Sequence, residues 1–230
     1  MNKTIGLIGG MTPESTILYY RELNALAAVT FGAKHSCNVL IESVDFGVVS
    51  KYQSENRWDL LAEMMVIAAQ NLEKGGAKCI LICANTMHLT IDVVQKSVTI
   101  PVLHIATVTS LKIKEKELQK VALLGTKYTM ESTFYADILS EFGIEVIIPN
   151  ESDREIIHQV IYTELAFGEV NTDSKKEYLR IIEKLISKGA QGVILGCTEI
   201  PMLIVQEDVS IPVFDTTKIH ATAAFNLMNT

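Results

Sequence analysis

No apolar run in this chain approaches the roughly 20 residues needed to cross a bilayer, so no membrane segment is expected. Lysine and arginine do not cluster, and 27 acidic against 20 basic residues leave a net charge of −7, which argues against a nucleic-acid partner. The four cysteines show no paired short spacing, which excludes a disulfide framework or a zinc ribbon. The opening MNKTIGLIGGMTPES turns to glycine and proline too early for a secretory signal. A reduced, soluble, cytoplasmic protein is the expectation. Its 230 residues suffice for one large domain or two of about 100–150 residues.

Strand-like apolar runs alternate with helical patterns along the chain. The runs are Thr4–Ile8, Asn38–Ser43, Lys78–Cys83, Pro101–Ile105, Lys120–Leu124, Glu145–Ile148, Gln191–Leu195 and Pro212–Phe214. Several are almost continuously apolar, as parallel strands covered on both faces require. The pattern predicts an α/β fold with mainly parallel sheets. The two halves also match each other. Thr12, Glu14, Ser15 and Thr16 recur as Thr129, Glu131, Ser132 and Thr133, 117 positions later. GAKCILICANT at Gly76 resembles GAQGVILGCTE at Gly189, and VTIPVLH at Val98 resembles VSIPVFD at Val209. Three matches in one order are the mark of duplication. Two pseudo-symmetric α/β units are therefore predicted, 1–106 and 107–215. A last helix over 216–230 is expected, with packing back on the first unit as one option.

The matched segments sit where chemistry is expected. Ligands of doubly wound sheets bind at the carboxyl ends of strands, and ANTMH and GCTEI occupy two such ends. Backbone N–H groups starting a helix there attract carboxylates. Asn85, Thr86 and Thr198 add side-chain donors, as do Thr126 and Thr129 at another strand end. Thr12-Pro13-Glu14 reads equally as a helix start that only caps. Gly9-Gly10 permits close backbone approach but does not form GxGxxG, so a dinucleotide is disfavoured. Donor-rich turns of this size suit a small dicarboxylate or amino acid. Cys37, Cys79 and Cys83 fit a core role, and strand alternation turns Cys83 away from the Ala84 side. Cys197 lies among turn residues, and a helix N-terminus is expected to lower its pKa from about 8.5, making it a base or nucleophile.

Together GLIGGMTPEST, SVDF at Ser43–Phe46, ANTMH, LLGTKYTME, GCTEI and VFDT resemble the aspartate/glutamate racemase family, in particular its broad-specificity amino acid racemase subgroup. The resemblance spans almost the whole chain in order. It implies two pseudo-symmetric units with the active site in the cleft between them, no pyridoxal phosphate or other cofactor, no metal, and two thiols flanking the substrate Cα. Homodimers are common in such proteins. Carried over by position, Cys197 is the second catalytic cysteine. Asn85, Thr86 and Thr198 hold the α-carboxylate, Met11, Thr126 and Thr129 make further substrate contacts, and Gln53 meets the side-chain carboxylate.

The position of the first cysteine holds Ala84, and a methyl group transfers no proton. This leaves three readings. Water or another group, such as Cys83 after a local shift or a histidine (His88, His104 or His220), completes the inversion. Alternatively the lone thiol works as in the related arylmalonate decarboxylases, or Ala84 is an introduced replacement. The expected function is interconversion of L- and D-aspartate and/or glutamate. The alternatives are a single-thiol decarboxylase and a catalytically silent dicarboxylate binder. The polar segment Asp45–Glu55, with Gly47, is expected to be a loop that closes over substrate.

Overall fold

A computed structural model describes residues 3–229. The chain divides into two units, one made of 1–104 with 220–230, the other of 105–219.

In the first unit, β1 (Ile5–Gly9) lies between β2 (Val39–Ser43) and β3 (Cys79–Ile82), all parallel. β1 and β3 are wholly buried, whereas the edge strand β2 is only partly so. Alternation along β3 separates two cores. Ile80, Ile82 and Ala84 join Leu61, Met65 and Leu72 of α3 (Trp58–Lys74). Cys79, Leu81 and Cys83 join Tyr19 and Leu23 of α1 (Pro13–Phe31) on the other face. Burying each such aliphatic side chain contributes about 1.5–3 kcal/mol. That second core is completed by Ala221, Ala224, Phe225 and Met228, so the last helix covers this sheet.

Two expectations need correction here. Pro101–Ile105 does not form a strand, since Val102 makes only an isolated parallel bridge to Ile80. Segment 45–55 is not a loop: α2 (Phe46–Ser54) occupies it, started by the Asp45 side chain accepting from Gly47 N at 2.8 Å. A two-residue Asx cap at Asp45 outweighs the helix-weakening Gly47.

In the second unit, four parallel strands run in the order β5-β4-β6-β7, comprising β4 (Lys120–Leu124), β5 (Glu145–Ile147), β6 (Val193–Leu195) and β7 (Val213–Asp215). Helices α4 (Ile91–Ser97), α5 (Ile105–Lys114), α6 (Lys127–Glu131), α7 (Phe134–Glu141), α8 (Glu151–Thr163), α9 (Thr172–Ser187) and α10 (Thr216–Asn229) complete the chain. β6 repeats the alternation seen in β3. Val193, Leu195 and Cys197 face one core with Tyr178 and Ile181, while Ile194 faces the other with Tyr135 and Phe214. Asp215 caps α10 by accepting from Thr217 N and Lys218 N. Among the described residues no helix is long and apolar enough to cross a membrane.

Candidate active site

In the first unit, the turn after β1 is shaped by Gly10. Its φ is +87°, and a Cβ there would lie 2.2 Å from Val44 O, so only glycine fits. The turn is fastened by Thr16, whose Oγ1 accepts from Gly10 N at 2.8 Å and donates to Thr12 O at 3.1 Å. Ser15 Oγ donates to Cys83 O. Thr12 caps α1, accepting from Ser15 N at 3.3 Å. Met11 then packs in one core cluster with Ala84 and Met87. Gln53, on α2, donates Nε2 to Met87 Sδ at 3.7 Å, which brings it to this cluster as well. Asn85 and Thr86 are buried at the end of β3, where a short 3-10 helix, Thr86–Thr90, replaces the expected α-helical start. Met11, Gln53, Ala84, Asn85 and Thr86 are thus gathered in one unit.

Cys83 belongs to the opposite face. Its thiol is fully buried with the α1 residues, and burial pushes its pKa far up. Delivering it to the Ala84 side requires reversing the strand pleat, since alternate side chains point to opposite faces. His88 is 2% exposed, and its Nδ1 lies 3.0 Å from Ala84 O. Burial, then the neighbouring imidazoles of His220 and His104, hold it well below the ordinary histidine range. His104 is lowered to about 4 and His220 to about 3, both chiefly by burial.

In the second unit the corresponding turns are tightly drawn together. A Cβ on Gly196 would lie 2.9 Å from Leu124 O and 3.4 Å from Thr129 Cγ2, so glycine lets the end of β6 approach β4 and Thr129. Thr126 caps α6 by accepting from Thr129 N at 3.3 Å, and the two hydroxyls lie 3.2 Å apart. The cap that corresponds to Thr12 is therefore Thr126 rather than Thr129, the partner that sequence matching selects. Next come Cys197, Thr198 and Glu199 at the end of β6, all buried.

Glu199 is the residue that sequence reasoning missed. Its Oε2 accepts from Cys197 Sγ at 2.9 Å and from Thr198 Oγ1 at 2.7 Å. The available signal was an acid two positions beyond the cysteine, read only as part of a turn. Glu199 also overturns the expected acidity of Cys197. Burial first, then the Glu199 charge and its hydrogen bond, push the thiol well above its ordinary pKa. Backbone N–H groups of Thr198 and Glu199 pull the other way and lose. The helix beyond Cys197 is only a three-residue 3-10 turn, Ile200–Met202, too short to supply a substantial helix dipole. The thiol is thereby held protonated, donating to the Glu199 side chain. Among the described residues, no cluster of three His, Cys, Asp or Glu side chains could hold a metal ion.

Duplicated parallel α/β units with donor-rich strand ends, and a cysteine–glutamate pair at one of them, define a thiol-bearing α/β enzyme scaffold. A family model described as Asp/Glu/hydantoin racemase matches residues 8–224, and the chain belongs to that family. It is 25% identical to the broad specificity amino-acid racemase RacX of Bacillus subtilis (strain 168), over 92% of each chain. Its fold is similar to that of an aspartate racemase homologue from Pyrococcus horikoshii OT3, with TM-score 0.88 and 39% identity over the full length of both chains. The Picrophilus torridus aspartate racemase shares the fold at TM-score 0.80 and 21% identity, over 99% of this chain and 94% of that one.

Proposed function

We propose that this chain is a racemase that acts on aspartate and/or glutamate without pyridoxal phosphate, with Cys197 as one base. The observation that carries this reading is the 2.9 Å contact between Cys197 Sγ and Glu199 Oε2. In the proposed step Glu199 accepts the thiol proton and leaves a thiolate. The thiolate then removes the Cα proton, and the electron pair stays on Cα, delocalised into the α-carboxylate. Asn85, Thr86 and Thr198 bind that carboxylate and stabilise the charge it gains. Reprotonation from the same face returns the original enantiomer, and reprotonation from the other face inverts it.

Inversion draws its second proton from the Ala84 side. Cys83 faces the other core, and His88 spends its Nδ1 on Ala84 O, so neither supplies that proton. Water entering with the substrate is the donor this reading assigns, which makes the enzyme faster on one enantiomer than on the other. The apolar surroundings of Ala84, formed by Met11 and Met87, favour a second reading. In it the lone thiol protonates an enolate left by loss of carbon dioxide from a malonate.

Proton NMR of L- and D-aspartate and L- and D-glutamate in deuterium oxide, with products resolved on a chiral column, tests the reading. Loss of the α-proton signal with formation of the opposite enantiomer, abolished by Cys197→Ser, is the expected result. Absence of exchange with all four amino acids refutes it, and carbon dioxide release from malonates then identifies the decarboxylase.

A further inference from the structure

Three histidines that are far apart in sequence meet in the first unit. The His88 ring lies 5.2 Å from that of His104 and 5.5 Å from that of His220, centroid to centroid. Hydrogen bonds fix the proton positions of two of them. Leu103 O can only accept, so His220 Nε2, 3.0 Å away, carries a proton, and its Nδ1 accepts from Tyr19 O–H at 2.8 Å. Likewise Ala84 O can only accept, so the proton of neutral His88 is on Nδ1. The backbone N–H of His88 donates to Asn85 O at 3.0 Å. One residue thus holds two successive carbonyls of the turn.

A trans peptide is planar, and its C=O and N–H point in opposite directions. We infer that His88 is a positioning residue, whose Nδ1–H on the Ala84 carbonyl fixes the Ala84–Asn85 peptide so that Asn85 N–H points away from the histidine and toward the substrate carboxylate. The assignment rests on the racemase reading for the identity of the substrate, but the clamp itself does not. A flipped peptide would present the Ala84 carbonyl to an anionic substrate, replacing an attractive dipole by a repulsive one. The site therefore has a reason to hold this peptide with a buried side chain. Burial keeps His88 neutral, so it retains a single proton and a single orientation. Packing against His104 and His220 restrains the ring on its other sides, and Tyr19 anchors His220 in turn.

The pair His88→Asn and His88→Gln tests this. The Asn amide nitrogen takes the place of Nδ1 and keeps the donor, whereas the Gln amide takes the place of Nε2 and loses it. L-aspartate and L-glutamate affinities are measured by calorimetry, kcat and KM by exchange, and Asn85 amide protection by NMR. H88Q is expected to raise Kd and KM by about three- to tenfold, the worth of one hydrogen bond, with a smaller change in kcat. H88N is expected to recover most of that loss, and Asn85 protection should follow the same order. A merely structural role would lower thermal stability in both variants without separating Asn from Gln. Equal behaviour of the two variants overturns the assignment. If the unaltered protein binds neither amino acid, the racemase reading fails, and the His88 tautomer read from its imidazole nitrogen shifts decides the clamp by itself: a proton on Nδ1 supports it and a proton on Nε2 overturns it.

Discussion

Replacing Glu199 with glutamine should drive two properties of Cys197 in opposite directions. The carboxylate opposes thiolate formation electrostatically, because its charge lies beside the sulfur, and it accepts the thiol proton at 2.9 Å. Glutamine removes the charge, so the thiol becomes more acidic and the thiolate fraction at neutral pH rises. The same change removes the proton acceptor. The hydrogen bond to the charged carboxylate, worth about 1.5–3 kcal/mol, holds the proton on sulfur, so its loss favours ionisation by roughly ten- to hundredfold and any fall in rate must come from the missing base. Loss of a general base typically costs about 10²–10⁴ in rate. An exchange rate reduced by about a hundredfold is therefore expected. The assays are iodoacetamide alkylation of Cys197 followed by mass spectrometry across pH, and α-proton exchange in deuterium oxide. Alkylation should quicken and its pH midpoint fall while exchange collapses. If exchange survives near its original rate while alkylation quickens, Glu199 only suppresses thiolate and takes no part in the proton transfer. If alkylation slows, the electrostatic account of Cys197 is wrong.

Ala84→Cys adds one sulfur atom at the turn that lacks a thiol and should narrow the gap between L- and D-enantiomer exchange rates, by about tenfold or more if water is the poorer donor; an unchanged ratio in the NMR assay counts against the two-face account. Acid should destabilise the protein through the buried histidines. Their folded pKa values lie below the ordinary 6.5, with His104 at about 4 and His220 at about 3, so the stability they permit is full above pH 6.5 and is lost as pH falls below it. The loss is about 1.4 kcal/mol per pH unit for each such group until its folded pKa is reached, and a melting temperature that stays flat from pH 7 to pH 5 refutes this. Gly10→Ala places a Cβ 2.2 Å from Val44 O at a positive φ, so it should cost more than about 1 kcal/mol and disturb Met11; urea unfolding and substrate affinity report the two effects.

Much of the architecture could be read because strand alternation is a local property. The order Cys79, Ile80, Leu81, Ile82, Cys83, Ala84 already divides into two faces, and the structure assigns the odd-numbered and even-numbered residues to different cores. Other features depend on spatial neighbours that a linear pattern does not reveal. Segment 101–105 is apolar enough for a strand, yet it makes only one bridge to β3. Segment 45–55 reads as a polar loop from its composition, yet it is helical because the cap at Asp45 carries more weight than the residues around Gly47. The repeated EST triplets were matched correctly as sequence but serve different ends. Ser15 ties α1 to Cys83 O, whereas Ser132 lies in the break between α6 and α7. The acidity of Cys197 was misjudged because the rule for helix N-termini assumes a helix long enough to carry a dipole, and here a carboxylate stands nearer than any such helix.

The duplicated turns have diverged in a consistent direction. At the end of β6 a reactive hydrogen faces a carboxylate, and two hydroxyl-bearing residues, Thr126 and Thr198, stand at that unit's strand ends. At the end of β3 the matching position is a methyl group among methionines, and the His88 side chain is turned onto its backbone carbonyl and held neutral. His88 donates Nδ1–H to the Ala84 carbonyl, while its buried Nε2 has no hydrogen-bond partner among the described residues. The two strand-end turns thus differ most sharply at Ala84 and Cys197, a methyl whose carbonyl is held by His88 in one and a thiol that donates to Glu199 in the other.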